Sequence, residues 1–165
     1  MIVADTSALA SLASGSVLRF FLEEFDVRVT KTVVEELEDL SLGGDRTAEH
    51  ADEVLTLKDS FQVCETGGEK PTSSRIDSGE GSSVVLAERV EADFLITDDL
   101  RALPELEKLL GEGKVAISPI VLRALVERGV LERENALEKL ERIAENRDWL
   151  HSPIYRRARG LLEEQ

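Results

Sequence analysis

Asp5, Glu36, Glu80 and the pair Asp98-Asp99 are the side chains of this sequence whose type and spacing could do chemistry. Each is a carboxylate standing where an apolar run gives way to polar residues or a helix begins. Ile2-Val3-Ala4 ends on Asp5, and Phe94-Leu95-Ile96-Thr97 ends on Asp98-Asp99. Glu80 opens a helical stretch three residues after Asp77, and Glu36 lies within Val33-Val34-Glu35-Glu36-Leu37. Gathered at one place, such groups repel one another and raise each other's pKa unless a counter-charge is present. Arg101 is the only basic residue closely adjoining them. A hard divalent cation, which prefers oxygen ligands and often keeps several waters, is the simplest neutralising agent.

Each carboxylate also has an ordinary structural use. Asp5-Thr6-Ser7 and Asp98-Asp99 suit helix N-caps, and Asp77-Ser78-Gly79-Glu80 has the spacing of a capping box. The box does not exclude a pocket, because Glu80 shares a helix face with Val84 and Ala87. Helical geometry separates the adjacent glutamates. At about 100° per residue, Val33, Val34, Leu37 and Leu40 form one apolar arc; Glu36 borders it and Glu35 points away. His50 and His151 stand outside these groups, and no Cys–His or Ser–His–Asp set accompanies them. A water nucleophile, with a metal lowering its pKa, is the chemistry that remains.

The elements that must position these residues alternate. Ile2–Ala4, Val27–Val29, Phe61–Cys64, Phe94–Thr97 and Val115–Ile117 read as strands. Helices are expected after residue 5, around Leu18–Phe25, over 30–40 and 46–59, from about Gly79, and from about Arg101 to Leu110. Residues 66–83 are rich in Gly, Ser, Thr and Pro and begin as a loop. Beyond Ser118 the pattern is helical to the end. Alternation of this kind argues for a parallel sheet with helices on both faces, which binds ligands at the carboxyl ends of its strands. One domain is expected over 1–165, an α/β core to residue 118 and helices from 119 onward.

The composition bounds the rest. In 165 residues, 42% are hydrophobic and 33% charged; 34 acidic against 20 basic residues give a net charge of −14. The basic residues are 14 Arg and 6 Lys. This is not the basic footprint of a general nucleic-acid binder. It suits a halophile's cytoplasm, where charge is screened over about 3 Å at 1 M salt. The lone Cys64 excludes an internal disulfide and lacks partners for zinc, and it reads as a half-buried strand residue. No run approaches the ~18 apolar residues of a membrane span, so a soluble, cytoplasmic protein is expected.

Met1-Ile2-Val3-Ala4-Asp5-Thr6-Ser7 resembles the opening motif of prokaryotic PIN-domain proteins, Val33-Val34-Glu35-Glu36-Leu37 their second motif, and Asp77-Ser78-Gly79-Glu80 and Leu95-Ile96-Thr97-Asp98-Asp99 their third and fourth. The ordered set spans residues 1–103, and Glu127–Leu131 and Trp149–Ser152 add a weaker likeness to a subgroup. The resemblance implies a three-layer α/β/α fold with a central parallel sheet and a helical C-terminal part. It implies an endoribonuclease dependent on Mg²⁺ or Mn²⁺, such as the toxin of a toxin–antitoxin pair, with RNA as substrate, an antitoxin as partner and a homodimer as assembly. Carried over by position, Asp5, Glu36, Glu80 and one or both of Asp98 and Asp99 surround the metal, with spacing favouring Asp99. Asp5 coordinates directly, and Glu36 or Asp99 orients the water. Thr6, Ser7 and Thr97 support by hydrogen bonding. Glu80 stands where many members carry Asp. Arg101 and the C-terminal Arg156, Arg157 and Arg159 are candidates for substrate phosphates.

Three other readings compete. An inert PIN-like binding module keeps the acidic positions without turnover. A receiver-like phospho-acceptor needs a lysine at the end of the last strand, where Ser118-Pro119 stands, and an aspartyl phosphatase needs Asp where Ser7 stands.

Overall fold

A computed structural model describes residues 1–164. Five short strands, β1 (Ile2–Ala4), β2 (Val27–Thr30), β3 (Gln62–Cys64), β4 (Phe94–Ile96) and β5 (Val115–Ala116), form one sheet in the order β3-β2-β1-β4-β5. Every pairing is parallel, with Ile2 opposite both Val27 and Phe94, Arg28 opposite Gln62 and Leu95 opposite Val115. The interior strands are apolar because both faces are covered: Val3, Ala4, Val29, Leu95 and Ile96 are buried.

Nine α-helices lie among the described residues. Between β1 and β2 run α1 (Thr6–Ser14) and α2 (Leu18–Glu24), and between β2 and β3 run α3 (Lys31–Ser41) and α4 (Arg46–Thr56). Then α5 (Ser78–Arg89) leads into β4, and α6 (Leu103–Leu110) into β5. Right-handed crossovers put α1 to α4 on one face and α5 with α6 on the other, giving three layers. The chain moves outward from β1 to β3, then crosses to β4 on the other side of β1. The order therefore reverses between β1 and β4, and ligands of open α/β sheets bind at such a switch point. Asp5 leaves β1 there, and Asp98-Asp99 follow β4.

Three helices finish the chain: α7 (Pro119–Glu127), α8 (Arg133–Asn146) and α9 (Pro153–Glu163). They join the same core, since Leu122, Leu125, Leu140, Ile143 and Ala158 are fully buried with it. Gly15 ends α1 where α8 docks; a Cβ there would stand 2.8 Å from Ile143 Cδ1 and 3.1 Å from the Lys139 carbonyl oxygen. No helix among the described residues is long and apolar enough to cross a membrane.

The elements differ from the sequence expectation in three places. The helix expected over 46–59 ends at Thr56 and tightens into a 3₁₀ turn at Lys58–Ser60. Ala48, Ala51 and Val54 exhaust its apolar stripe, and Phe61 must turn inward. The helix expected from Arg101 begins at Leu103, because Asp99 Oδ1 accepts from the Arg101 and Ala102 amides and holds a turn before it. Phe94 opens β4 39% exposed, so only the later part of that strand is buried.

Candidate active site

Asp5 is the N-cap of α1. Its Oδ1 accepts from the Ala8 amide at 3.0 Å and from Ser7 Oγ at 2.9 Å. Ser7 Oγ also accepts the Asp98 amide at 3.0 Å and lies 3.5 Å from Thr97 Oγ1, tying the end of β1 to the end of β4. Asp5 is buried, and burial pushes its carboxyl up to about 7 despite the Thr97, Ala8 and Ser7 donors; the nearby Asp98 charge adds to the rise.

Glu80 stands at the third position of α5. Its Oε2 accepts the Asp77 amide at 3.0 Å while Asp77 Oδ1 accepts the Glu80 amide at 2.8 Å, so both halves of the capping box form. Burial pushes the Glu80 carboxyl up to about 8. The Asp77 amide opposes that rise, and the adjoining Asp99 and Asp77 carboxylates reinforce it.

Glu36 reaches the same place from α3. Its Oε2 accepts from Thr6 Oγ1 at 2.5 Å, and its carboxylate lies against Gly79, where a Cβ would come 2.7 Å from Glu36 Cδ. Burial raises its pKa and the Asp77 charge adds, against hydrogen bonds from Thr6 and the Gly79 amide. Glu35 is exposed. Beneath these groups Thr30 caps α3 through the Val33 amide at 3.1 Å and meets Ser82 Oγ at 2.8 Å, fixing α3 against α5.

Asp5, Glu36, Glu80 and Asp99 thus line one cavity of about 490 Å³, together with Thr6, Ser7, Asp39 and Asp77. Asp5 and Asp99 are fixed through Oδ1, and Glu36 and Glu80 through Oε2. Asp98 does not line the cavity: its Oδ1 accepts the Ser118 amide at 2.7 Å, and its Oδ2 is buried without a hydrogen-bond partner. Thr97 is buried behind the wall. Nor do the expected arginines reach the cavity. Arg101, Arg156 and Arg157 are exposed, and Arg159 pairs with Glu141 at 3.1 Å and Glu163 at 2.7 Å. The cation that does line it is Arg147, just past the end of α8. Sequence reading missed Arg147, which no motif marks, and Asp39, which helical spacing from Glu36 could have found.

The donor set suits a hard divalent cation. The lining carries six carboxylates against one arginine; burial is the main cause of the raised Asp5 and Glu80 pKa values, and the neighbouring carboxylates add to it. Among the described residues no three acidic, histidine or cysteine groups close tightly around one point.

The sequence profile of one family, described as a PIN domain, matches residues 1–164. No curated protein and no solved structure matches significantly.

Proposed function

We propose, since the chain belongs to the PIN-domain family, that it is a metal-dependent endoribonuclease whose centre is the cavity around Asp5. PIN domains are generally nucleases and usually use divalent metals. The observation that carries the reading is the meeting of Asp5, from the end of β1, with Asp99, from the end of β4, and Glu80 in one cavity at the switch point of the sheet.

Asp5, Glu80 and Asp99 would hold Mg²⁺ or Mn²⁺. When bound, such an ion lowers the pKa of a nucleophilic water and offsets charge developing on the phosphate. Ser7 and the Ala8 amide hold the Asp5 carboxylate in one orientation. Glu36, fixed by Thr6 and backed by Gly79, would orient a water and accept its proton. Asp98 shapes the wall by holding the Ser118 amide.

The direct test is cleavage of single-stranded RNA by the purified chain with Mn²⁺, with Mg²⁺ and with chelator. Cleavage in both metals and none in chelator is expected; metal-independent cleavage, or none, overturns the reading. A binding module without turnover is the second reading, favoured by the lack of three tightly converging ligands. It is selected if millimolar Mn²⁺ leaves the melting temperature unchanged and RNA intact. By its likeness to toxin-type members, the chain would act as the toxin of a toxin–antitoxin pair and as a homodimer. Growth arrest on expression, relieved by a neighbouring small protein, tests the first, and light scattering tests the second.

A further inference from the structure

We propose that Arg147 is a phosphate-contacting residue of the acidic cavity, supplied by the C-terminal helices; the identity of its ligand rests on the nuclease reading. Arg147 is the one cation among the cavity's lining residues, opposite Asp5, Glu36, Asp39, Asp77, Glu80 and Asp99. Among the described residues its guanidinium nevertheless makes no hydrogen bond within 3.5 Å and no ion pair within 4.0 Å. Its charge acts on the buried Asp98 from a distance, but its fork of donors is unused, whereas Arg159 is paired with Glu141 and Glu163 and Arg128 with Glu24.

The backbone on either side of Arg147 is fixed. Asn146 Nδ2 donates to the Ser14 carbonyl at 3.0 Å, at the far end of the helix that Asp5 caps. The Arg147 amide donates to the Ile143 carbonyl and the Trp149 amide to the Ala144 carbonyl, both at 2.8 Å. Trp149 is buried, and Asp148 between them takes the left-handed conformation at φ 57° that lets the chain turn there. Ala10, one turn beyond Thr6 on α1, lines the same cavity with a small side chain.

The chemistry of the side chain selects the ligand. A guanidinium offers a planar fork of donors that matches a phosphate with two parallel hydrogen bonds, and it stays charged at any pH the protein meets. A cavity rich in carboxylates otherwise repels a polyanion. Arg147 gives the polypeptide one fixed positive point from which to hold a phosphate beside the reacting one.

The experiment measures steady-state cleavage and fluorescence-anisotropy binding of a labelled single-stranded oligoribonucleotide by the full chain in Mn²⁺, between 50 and 200 mM salt, roughly the window in which phosphate contacts lose affinity steeply. Arg147→Ala is expected to weaken binding and raise KM about tenfold, to change kcat little, and to flatten the log–log salt slope by about 0.7, one phosphate's share. Arg147→Lys should recover the slope and only part of the affinity, since it keeps the charge and loses the fork. An Arg147→Ala protein with unchanged KM, binding and slope overturns the proposal, as does one whose only defects are a lower melting temperature and lower kcat. A wild-type chain that cleaves while Arg147→Ala binds normally removes the phosphate contact and leaves the nuclease. One that binds with an Arg147-dependent slope but never cleaves does the reverse. Absence of both binding and cleavage removes both.

Discussion

Thr6 Oγ1 donates to Glu36 Oε2 at 2.5 Å, so the residue after the first strand's aspartate holds a carboxylate thirty positions further along the chain. This bond lowers the Glu36 pKa against the burial that raises it. Replacing Thr6 with Val keeps the shape and removes the donor. Glu36 should then titrate higher, moving the acid limb of the pH–rate profile to higher pH. The lost bond to a charged, half-buried group should cost about 1–2 kcal/mol of stability. An unmoved acid limb would remove Glu36 from the proton inventory.

Gly79 behaves differently from the other close-packed glycines. The three atoms its Cβ would meet first all belong to the Glu36 carboxylate, the far end of a flexible side chain. Gly79→Ala should therefore keep the fold, helped by up to about 1 kcal/mol of helix propensity, while expelling Glu36 and lowering activity as far as Glu36→Gln does. At Gly81 a Cβ would press on the Pro71 carbonyl, which is backbone and cannot swing aside. Gly81→Ala should cost about 1–3 kcal/mol by overpacking. Chemical denaturation and cleavage assays on the two variants separate these outcomes.

Stability should depend on pH with an unusual sign. Asp5 and Glu80 are raised to about 7 and about 8 in the folded chain, above their ordinary values near 4. The folded state then binds more protons than the unfolded state between pH 4 and 8, so stability falls as pH rises through that window. In chelator and about 1 M salt, which screens the surface charge, the melting temperature should drop from pH 5 to pH 8. Mn²⁺ should restore more at pH 8 than at pH 5, because it favours the ionised carboxylates. A melting temperature that stays flat or rises over this range in chelator would contradict the buried, uncompensated cluster.

Asp98 and Asp99 should separate by phenotype. Asp98→Ala removes the acceptor of the buried Ser118 amide and should cost about 1–3 kcal/mol. Asp99→Asn keeps an acceptor for the Arg101 and Ala102 amides and should retain stability while losing cleavage. Thermal melts and rates of the pair check this assignment, and equal activity losses with equal stability would refute it.

The sequence carried the fold through its alternation of apolar runs, and it separated Glu36 from Glu35 because a helix turns about 100° per residue. It also carried the capping box, whose two bonds form without removing Glu80 from the cavity. Spacing favoured Asp99 over Asp98 but could not settle the choice. They are neighbours in a turn, and which one faces inward depends on the Ser7 hydroxyl and the Ser118 amide, each contributed by another segment. Arg147 was invisible for a similar reason. Its place comes from α8 docking on Gly15 and Ser14, a contact between segments more than 120 residues apart.

The most direct measurement is the metal-dependent RNA cleavage rate of Asp5→Asn beside its melting temperature in chelator. Asn caps a helix as well as Asp does and removes a buried charge, so the variant should melt no lower than the wild type at pH 8. Its rate should fall at least about a hundredfold, the scale of a metal's contribution to the reaction. A pure, folded Asp5→Asn protein that cleaves at the wild-type rate would contradict the account.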